Sequence, residues 1–325
     1  MHPLALILAA ALLAPLHAAH AFDLQGHRGA RGLAPENTLA GFARAMAIGV
    51  DTLETDIAIS RDGVLLIAHD AALNPDITRG PDGQWLASRG PLIFLTPWAE
   101  LQRYDIGRIK PGTRYASQFP DQQPADGARL PQLAELFALV KQAGTPQLRL
   151  SLETKISPLA PGNTAAPEPF ARALIAAVRD AGLASRTTIQ SFDWRTLQVV
   201  QREAPEIPTV YLTARQIWLD NVGRGPATPW TAGHALQDHG SVPKMVRAAG
   251  GAVWSSYFGD LDAAQVKEAQ ALGLQVLAWT VNEPAQIDAM LALGVDGIIS
   301  DRPDRVREAM ARRGLPLPVP LKTGP

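Results

Sequence analysis

The stretch GHRGARGLAPENTLAGFARAMAIGVDTLETDIAISRDGVLLIAHD, at residues 26–70, decides how this 325-residue chain is interpreted. It brings five reactive side chains into one short segment: His27, Arg28, Glu54, Asp56 and His69. Strand-like and helix-like segments alternate after it, and they predict a scaffold that could close around these groups. The stretch is therefore expected to carry a large part of a reactive site.

The two acids of this stretch lie on a predicted strand. Apolar and polar residues alternate over residues 52–60, so Glu54 and Asp56 are expected to project from the same face. Asp-Gly at 62–63 is a strong hairpin signal, and the short apolar run that follows predicts a partner strand. Because His69 comes at the end of that run, the hairpin is expected to return it towards the two acids.

The order of the remaining elements predicts a single large α/β barrel. Strand and helix signals alternate, and eight strands precede their helices, at residues 23–26, 52–60, 147–153, 187–191, 209–213, 252–255, 275–280 and 297–299. This order favours a parallel (β/α)8 TIM barrel over a doubly wound sheet. Residues 71–123 break the rhythm with many Pro, Gly, Asp and Arg residues, and they predict a small lobe inserted after the hairpin of the second strand.

The two ends of the chain are predicted to lie outside the barrel, which takes residues 22–314. Residues 1–21 contain a short apolar run that ends in Ala-His-Ala, the pattern of a secretory signal peptide with its cleavage site. Removal of this segment would leave about 304 residues, enough for one large barrel. Residues 315–325 are rich in proline and predict a tail.

The composition limits the cellular compartments and the binding partners that are expected for this chain. The chain has no cysteine, which excludes disulfides and thiolate chemistry and suits export to a bacterial periplasm. The net charge of −1 gives no electrostatic reason to bind nucleic acid or an anionic membrane. No second apolar run is long enough to span a bilayer, so no stable membrane insertion is expected after signal cleavage. The sequence does not indicate an oligomeric state.

Three acids at strand ends predict a metal site. In a TIM barrel the reactive residues lie at the carboxyl ends of strands, and Glu54, Asp56 and Glu153 fall at or near such ends. Converging carboxylates repel one another unless a cation joins them, and oxygen ligands suit Ca²⁺ or Mg²⁺. A zinc site would be expected to include histidine ligands. For Glu153, an ion pair with Arg149 or Lys155 is the alternative.

Two histidines beside the acids suit acid–base chemistry. His27 and His69 flank the strand that carries the acids, whereas His234 and His239 lie in a Gly-rich loop and are expected to have no such role. A metal site flanked by two imidazoles predicts a metal-assisted hydrolase.

Two cations in the same region suit a phosphate ester as the substrate. Arg28 and Lys155 could bind phosphate oxygens and stabilise charge in the transition state. Pairing with the nearby acids is the alternative for both. The predicted class is therefore a metal-assisted phosphodiester hydrolase.

These residues stand in motifs that resemble the glycerophosphodiester phosphodiesterase family. The matching blocks cover nearly the whole chain after residue 26, in the family's order, as HRG (27–29), PENT (35–38), ETD (54–56), DG (62–63), HD (69–70), LETK (152–155), QSF (190–192), WTVN (279–282) and GVDGIISDRP (294–303). The resemblance implies a TIM barrel with a small insertion after the HD motif, where residues 71–123 lie.

The resemblance also implies a role for each residue. It implies Glu54, Asp56 and Glu153 as ligands of one divalent cation, Ca²⁺ or Mg²⁺. It implies His27 and His69 as the acid–base pair, and we assign His69 as the base. The implied substrate contacts are Arg28, Lys155, Gln190 and Trp279, although plain barrel packing is the alternative for Trp279. The implied reaction hydrolyses a small glycerophosphodiester to sn-glycerol 3-phosphate and an alcohol, with water or the substrate's own neighbouring hydroxyl as the nucleophile.

Two other functions are compatible with the same residues. A lysophospholipase D-type enzyme would act on lysophospholipids and would need an exposed apolar rim, for which Trp85, Ile93, Phe94 and Trp98 are candidates. A binding protein on an inactive barrel belongs to a different class. The sequence argues against it, because loss of function usually erodes the acids or the histidines, and all five are present.

Overall fold

The structure is a computed structural model that describes residues 22–322. In that range the strands are β1 (Asp23–Gly26), β2 (Thr52–Ile59), β3 (Leu65–Ile67), β4 (Arg149–Thr154), β5 (Thr187–Ser191), β6 (Thr209–Thr213), β7 (Arg215–Gln216), β8 (Leu219–Asp220), β9 (Val253–Tyr257), β10 (Gln275–Trp279) and β11 (Gly297–Ser300). The α-helices are α1 (Leu39–Ile48), α2 (Trp98–Leu101), α3 (Arg114–Gln118), α4 (Leu133–Gln142), α5 (Pro167–Asp180), α6 (Trp194–Glu203), α7 (Leu236–His239), α8 (Val242–Ala248), α9 (Ala263–Ala271), α10 (Pro284–Leu293) and α11 (Pro303–Arg312).

Eight of the described strands form a closed parallel barrel. Around the barrel the order is β1, β2, β4, β5, β6, β9, β10 and β11, and β11 pairs with β1 to close it. Every residue of β2 is buried, as expected for a strand covered by helices on one side and by the barrel interior on the other. The prediction of a (β/α)8 TIM barrel is confirmed.

Local sequence signals explain the first helix, which follows β1 and fixes the loop at the barrel mouth. The Thr38 side chain caps α1 by accepting a hydrogen bond from the backbone N–H of Gly41. Phe42 and Met46 lie one turn apart and are fully buried against the core. Gly49 ends the helix with φ at 88°, a value that glycine adopts without a steric cost. Helix α1 therefore has a local sequence signal at each end.

The segment between β3 and α4 forms a lobe that contributes no strand to the barrel among the described residues. It has a small core of its own, formed by Leu73, Ile93, Leu101 and Ile106 against Leu66 and Ala68. The Arg79 guanidinium joins two distant parts of the lobe, at 2.5 Å from Asp105 and 2.6 Å from Asp126.

The predicted apolar rim at residues 85–98 is wrong, because this lobe buries its own apolar side chains. Ile93 is only 2% exposed, and Trp98 packs partly buried against the same core. Trp85 lies under the guanidinium of Arg79, with the carbon of that group 5.6 Å from the ring centroid. Phe94 is half-buried. These side chains do not form a contiguous apolar surface.

Two further segments differ from a plain loop or tail. The Gly- and Pro-rich segment at 215–241, which includes the predicted loop of His234 and His239, contains the β7–β8 hairpin and the short helix α7. The first part of the Pro-rich end lies along the barrel, because the Leu321 backbone N–H donates to the Met46 carbonyl at 2.8 Å.

The N-terminal segment at 1–21, predicted to be a signal peptide, lies outside the described residues. Within residues 22–322, the helices are all too short or too polar to cross a membrane.

Candidate active site

Closure of the barrel places His27, which follows β1, beside Asp301, which follows β11. His27 Nδ1 lies 2.7 Å from Asp301 Oδ1, and Nε2 lies 4.0 Å from Glu54 Oε2. Asp301 is buried and also accepts two hydrogen bonds from Arg31 (2.7 and 3.0 Å) and one from Asn282 (2.7 Å). Burial lowers the pKa of His27 to about 4 although Asp301 opposes the shift. The ring is therefore neutral at pH 7 and is held through Nδ1.

The register of the parallel strands brings the three predicted metal ligands together. Asp56 on β2 aligns with Glu153 on β4, and Glu54 lies two residues earlier on the same face of β2. One carboxylate oxygen of each residue lies within 4.8 Å of the others. None of the three residues is more than 6% exposed. Adjacent strands of the closed barrel thus form one buried acidic cluster.

The electrostatics of this cluster fit a divalent cation. Burial and the charges of Asp56 and Glu153 raise the pKa of Glu54 well above its ordinary value. Burial also raises the pKa of Glu153 to about 7, although Lys155 opposes the shift. A cation would relieve this repulsion, and three carboxylate oxygens are ligands that Ca²⁺ and Mg²⁺ prefer. The residues present therefore fit one hard divalent ion.

Both predicted phosphate-binding cations lie beside the acids. Lys155 Nζ is 2.8 Å from Glu153 Oε1 and 3.6 Å from Asp56 Oδ1. Arg28 Nη1 donates to Glu36 Oε1 at 2.7 Å, and its Nε lies 3.2 Å from Asp56 Oδ2. Burial alone would raise the pKa of Asp56, but Arg28 and Lys155 hold it well below its usual range. Asp56 is therefore ionised at pH 7.

The HRG and PENT motifs shape the backbone around these acids. Arg28 has φ at 50°, a left-handed conformation that is uncommon for a residue with a side chain, and its backbone N–H donates to Glu54 Oε2 at 2.9 Å. Gly29 is required because a Cβ there would lie 2.6 Å from the Gly41 backbone. Asn37 has φ at 55° and donates through Nδ2 to Asp56 Oδ2 at 2.9 Å.

The second histidine enters from the hairpin, as the sequence predicts. His69 lies just past β3, and its Nδ1 is 2.8 Å from Asp70 Oδ1. Asp70 in turn accepts a hydrogen bond from Asn74 Nδ2 at 2.9 Å. Burial, followed by the charges of Arg28 and Lys155, lowers the pKa of His69. Its ring is therefore neutral at pH 7, like that of the first histidine.

Most of these groups line one cleft of about 600 Å³, a volume typical of small-molecule sites, whereas Asp56 is buried and does not line it. Both histidines, Glu54 and Glu153 line it. One wall of the cleft is aromatic and consists of Phe192, Trp218, Trp230 and Trp279. The cleft therefore joins a charged floor to an apolar wall.

The two remaining predicted substrate contacts also lie in this cleft. Gln190 Nε2 donates to Glu54 Oε1 at 2.7 Å, so its amide orients one of the acids. Trp279 donates through Nε1 to the Ser255 carbonyl at 3.1 Å, and its ring meets the ring of Phe192 edge to face at 5.3 Å. Trp279 is thus both packed in the barrel and exposed to the cleft.

Some residues of the site were not singled out from the sequence. Asp301, Glu36 and Phe192 lie within the quoted motif blocks, so the signal was present although no role was assigned. Tyr115 is different: its hydroxyl donates to Glu36 from the inserted lobe, and no motif marks it.

His234 and His239 stack on each other with ring centroids 5.6 Å apart and do not line the cleft.

A barrel with this mouth belongs to the class of TIM-barrel hydrolases, and its buried acidic cluster could hold a metal ion. The chain matches the Glycerophosphoryl diester phosphodiesterase family over residues 27–305. It therefore belongs to this family, and the predictions of the family and of a phosphodiesterase are confirmed.

Individual relatives agree with this assignment. A candidate glycerophosphoryl diester phosphodiesterase from Silicibacter pomeroyi has a solved structure that is 37% identical, with a TM-score of 0.82 over 92% of this chain and 96% of that one. A glycerophosphodiester phosphodiesterase from Caldanaerobacter subterraneus is 26% identical over 89% of this chain and 97% of its own length. A phosphodiesterase from Oleispira antarctica, solved in complex with the product sn-glycerol-3-phosphate, is 25% identical, with a TM-score of 0.64 over 89% of this chain and 96% of that one.

Proposed function

We propose that the protein hydrolyses glycerophosphodiesters to sn-glycerol 3-phosphate and an alcohol, with one bound Ca²⁺ or Mg²⁺. The observation that carries the proposal is the meeting of two neutral imidazoles and an acidic cluster in one small-molecule cleft. The product complex of the Oleispira antarctica relative supports the same substrate class. The acids and histidines are all present in one site, which argues against an inactive binding barrel.

Charge binds and orients the substrate in this proposal. A divalent cation held by Glu54, Asp56 and Glu153 would stabilise the negative charge that develops on a phosphoryl oxygen. Lys155 lines the cleft and offers Nζ to a second phosphate oxygen. The Arg28 guanidinium adds positive charge beside the same acids. The phosphodiester is therefore held at the charged floor of the cleft.

The two imidazoles move the protons. His69 takes the proton of the nucleophile, which its neutral state allows. His27 gives a proton to the departing alkoxide, and the Asp301 carboxylate at Nδ1 stabilises the imidazolium that this role needs. An anionic phosphodiester near Nε2 would raise the pKa of His27 from its value in the free protein. Binding of the substrate would thus favour protonation of His27, which must carry a proton to act as the acid.

Alanine variants test this assignment. His27→Ala and His69→Ala should each lower kcat by about 10²-fold or more on glycerophosphocholine, because each removes a proton-transfer group. His234→Ala is the matched control, since that ring lies outside the cleft and should leave kcat unchanged. Circular dichroism and metal titration show whether the variants keep the fold and the cation. Full turnover by either variant would refute the assignment of His27 and His69 as the acid–base pair.

We also propose that the protein is exported to the periplasm with cleavage after residue 21. The apolar run and the Ala-His-Ala pattern support the proposal. N-terminal sequencing of protein recovered from the periplasmic fraction should begin at Phe22. A start at Met1 would contradict it.

A further inference from the structure

The Arg31 guanidinium is a largely buried charge at the cleft that the proposed mechanism does not use. Its side chain is 13% exposed and lines the cleft. Nε donates to Asp301 Oδ1 at 2.7 Å and Nη2 donates to Asp301 Oδ2 at 3.0 Å, so one planar group binds both carboxylate oxygens. The same Oδ1 atom lies 2.7 Å from His27 Nδ1. The plane of the Asp301 carboxylate, and with it the direction of the His27 ring, therefore depends on Arg31.

The inserted lobe also holds Arg31. The central carbon of the guanidinium lies 4.7 Å from the centroid of the Phe119 ring, which is a cation–π contact. Nη1 lies 3.4 Å from the Tyr115 hydroxyl, and the rings of Tyr115 and Phe119 meet edge to face at 5.1 Å. Gln122 Nε2 donates to the backbone carbonyl of Arg31 at 2.7 Å. Helix α3 and the turn after it thus contact both the side chain and the backbone of a residue at the barrel mouth.

The lobe holds the second imidazole as well. Asn74, near the start of the lobe, donates through Nδ2 to Asp70 Oδ2 at 2.9 Å, and Asp70 Oδ1 lies 2.8 Å from His69 Nδ1. Each imidazole thus has a carboxylate at Nδ1, and the lobe takes part in holding both carboxylates. The Asp70 side chain is 36% exposed, whereas that of Asp301 is 2% exposed. Because water can hydrate Asp70, the orientation of Asp301 depends more strongly on its protein partners.

We propose that the inserted lobe positions the acid of the reaction through Arg31. Phe119 and Tyr115 hold the guanidinium in place. Arg31 in turn fixes the Asp301 carboxylate, which directs His27 Nε2 towards the leaving group. The inference rests on the proposed phosphodiesterase function, with His27 as the acid, and it adds Arg31 and Phe119 as positioning residues. Proton transfer requires the donor within hydrogen-bond reach of the departing oxygen, so a small rotation of the imidazole lowers the rate.

Direct contact with the substrate is the alternative role for Arg31, because its side chain lines the cleft. The bonds argue for positioning. Both short hydrogen bonds of the guanidinium, at 2.7 and 3.0 Å, go to Asp301, and a turn towards the substrate would leave that buried carboxylate without this cation. The two roles differ in their kinetics: loss of a substrate contact raises KM, whereas misplacement of the acid lowers kcat.

Steady-state kinetics on glycerophosphocholine, with enzyme saturated with Ca²⁺ or Mg²⁺, separate the two roles. Arg31→Lys keeps the charge but cannot bind both oxygens of Asp301 in one plane, so kcat should fall about tenfold or more while KM stays within about twofold. Phe119→Leu keeps an apolar side chain but removes the ring, and kcat should fall about threefold with KM unchanged. A higher KM with wild-type kcat in Arg31→Lys would assign Arg31 to the substrate and overturn the inference. Wild-type kinetics in both variants would overturn it too.

Trp85→Leu is the matched control, because the lobe contains a second pair of an arginine and an aromatic ring. The central carbon of the Arg79 guanidinium lies 5.6 Å from the Trp85 ring centroid, and Arg79 also binds Asp105. None of these three residues lines the cleft. Trp85→Leu should therefore keep the kcat and KM of the wild type. A loss of kcat equal to that of Phe119→Leu would show that a general loosening of the lobe lowers the rate, and it would overturn the inference.

Proton NMR of the protein without substrate gives a readout that does not depend on turnover. The Nδ1–H of His27 donates to a buried carboxylate, so its resonance should lie far downfield, and its absence from His27→Ala identifies it. The wild type and Trp85→Leu should show this resonance. In Arg31→Lys and Phe119→Leu it should move upfield or broaden, because the hydrogen bond is less well aligned.

The outcomes distinguish this inference from the proposed function. An unchanged resonance in both Arg31→Lys and Phe119→Leu would overturn the inference and leave the proposed function standing. Wild-type protein that shows the resonance but hydrolyses no glycerophosphodiester would instead refute the proposed function, and the positioning role with it. Circular dichroism checks the fold of each variant, and Phe119→Leu decides the matter by itself if Arg31→Lys does not fold.

Discussion

His27 Nδ1 and Asp301 Oδ1 lie 2.7 Å apart, although 274 residues separate them in the chain. The contact exists because β1 and β11 are neighbours in the closed barrel, with Gly26 aligned to Ser300. It fixes the tautomer of the imidazole, since a proton on Nδ1 leaves Nε2 free towards the cleft. Asp301 therefore orients the proposed acid.

Asp301→Asn should lower kcat by about 10²-fold with a smaller change in KM, because the amide can hold the ring but cannot stabilise the imidazolium. Steady-state kinetics on glycerophosphocholine measure the effect. Asp121→Asn is the control, since Asp121 is a largely exposed carboxylate that pairs with Arg302. Similar kinetics for wild type and Asp301→Asn would show that the contact is only structural.

Removal of the divalent ion should abolish activity and lower the thermal stability. Protein treated with EDTA should regain turnover with Ca²⁺ or Mg²⁺, and calorimetric titration should show one site per chain. Saturation at 100 times Kd should add about 2.7 kcal/mol to the free energy of unfolding. Glu153→Gln should weaken the affinity, because it removes one of three charged ligands from the cluster.

Glu203→Gln is the matched control for that titration, since Glu203 forms a salt bridge with Arg172 at 2.9 Å in another part of the barrel. It should bind the ion as the wild type does. Full activity after EDTA treatment, with no ion bound, would contradict the metal site.

Tyr115→Phe should destabilise the protein and reduce turnover together. The Tyr115 hydroxyl donates to the buried carboxylate of Glu36, which in turn accepts from Arg28. Loss of a hydrogen bond to a buried charge should cost about 1–3 kcal/mol of unfolding free energy, and it leaves Arg28 less firmly held. Urea denaturation and kinetics on one preparation measure both effects.

Tyr104→Phe is the control for this substitution. Tyr104 packs partly buried against the core of the same lobe, and its hydroxyl makes no hydrogen bond within residues 22–322. Its loss should change stability by less than the Tyr115 substitution. Equal losses of unfolding free energy in Tyr104→Phe and Tyr115→Phe would show that packing in the lobe, and not the hydrogen bond to Glu36, accounts for the effect.

Asp51 should make the protein less stable as the pH rises from about 4 to 7. Burial raises the pKa of Asp51 from its ordinary 3.8 to about 6, so the folded state binds a proton more tightly than the unfolded state does. Stability then falls with rising pH across that window and levels off above it. Asp51→Asn removes the effect and keeps an oxygen for the Leu24 N–H, which now donates to Oδ2 at 3.0 Å.

The measurement is the difference in unfolding free energy between Asp51→Asn and the wild type, from urea denaturation at several pH values. Between pH 4 and pH 7 the variant should gain about 1–2 kcal/mol of unfolding free energy relative to the wild type. Asp180→Asn, at an exposed position, should show no such shift. A constant difference across the range would mean that burial at Asp51 has no energetic effect.

The barrel could be predicted because each strand–helix unit has its own local signal. Thr38 as a cap, Gly49 as a stop and the alternation around Glu54 depend on neighbours within a few residues. The family motifs located both histidines and all three acids for the same reason: each block is contiguous in sequence. The hairpin at 62–63 even indicated which way His69 would turn.

Only the tertiary structure decided what lies against these groups. The alignment of Asp56 with Glu153 follows from strand register, and the pairing of His27 with Asp301 follows from barrel closure. Neither has a local signal, because the partners are close in space and far apart in sequence. The apolar rim was wrongly placed at 85–98 for the same reason, since hydrophobicity does not say which side chains a lobe buries among themselves.

The sequence by itself thus determined the strands and helices of the barrel, the residue types of the reactive site and the family. Tertiary structure decided the pKa values and the surface: burial lowers the pKa of His27, burial and carboxylate crowding raise the pKa of Glu54, and the β7–β8 hairpin leaves Ile217 in solvent. The physical reason is that burial and charge–charge energies depend on distances across the barrel, which are fixed only when β11 pairs with β1.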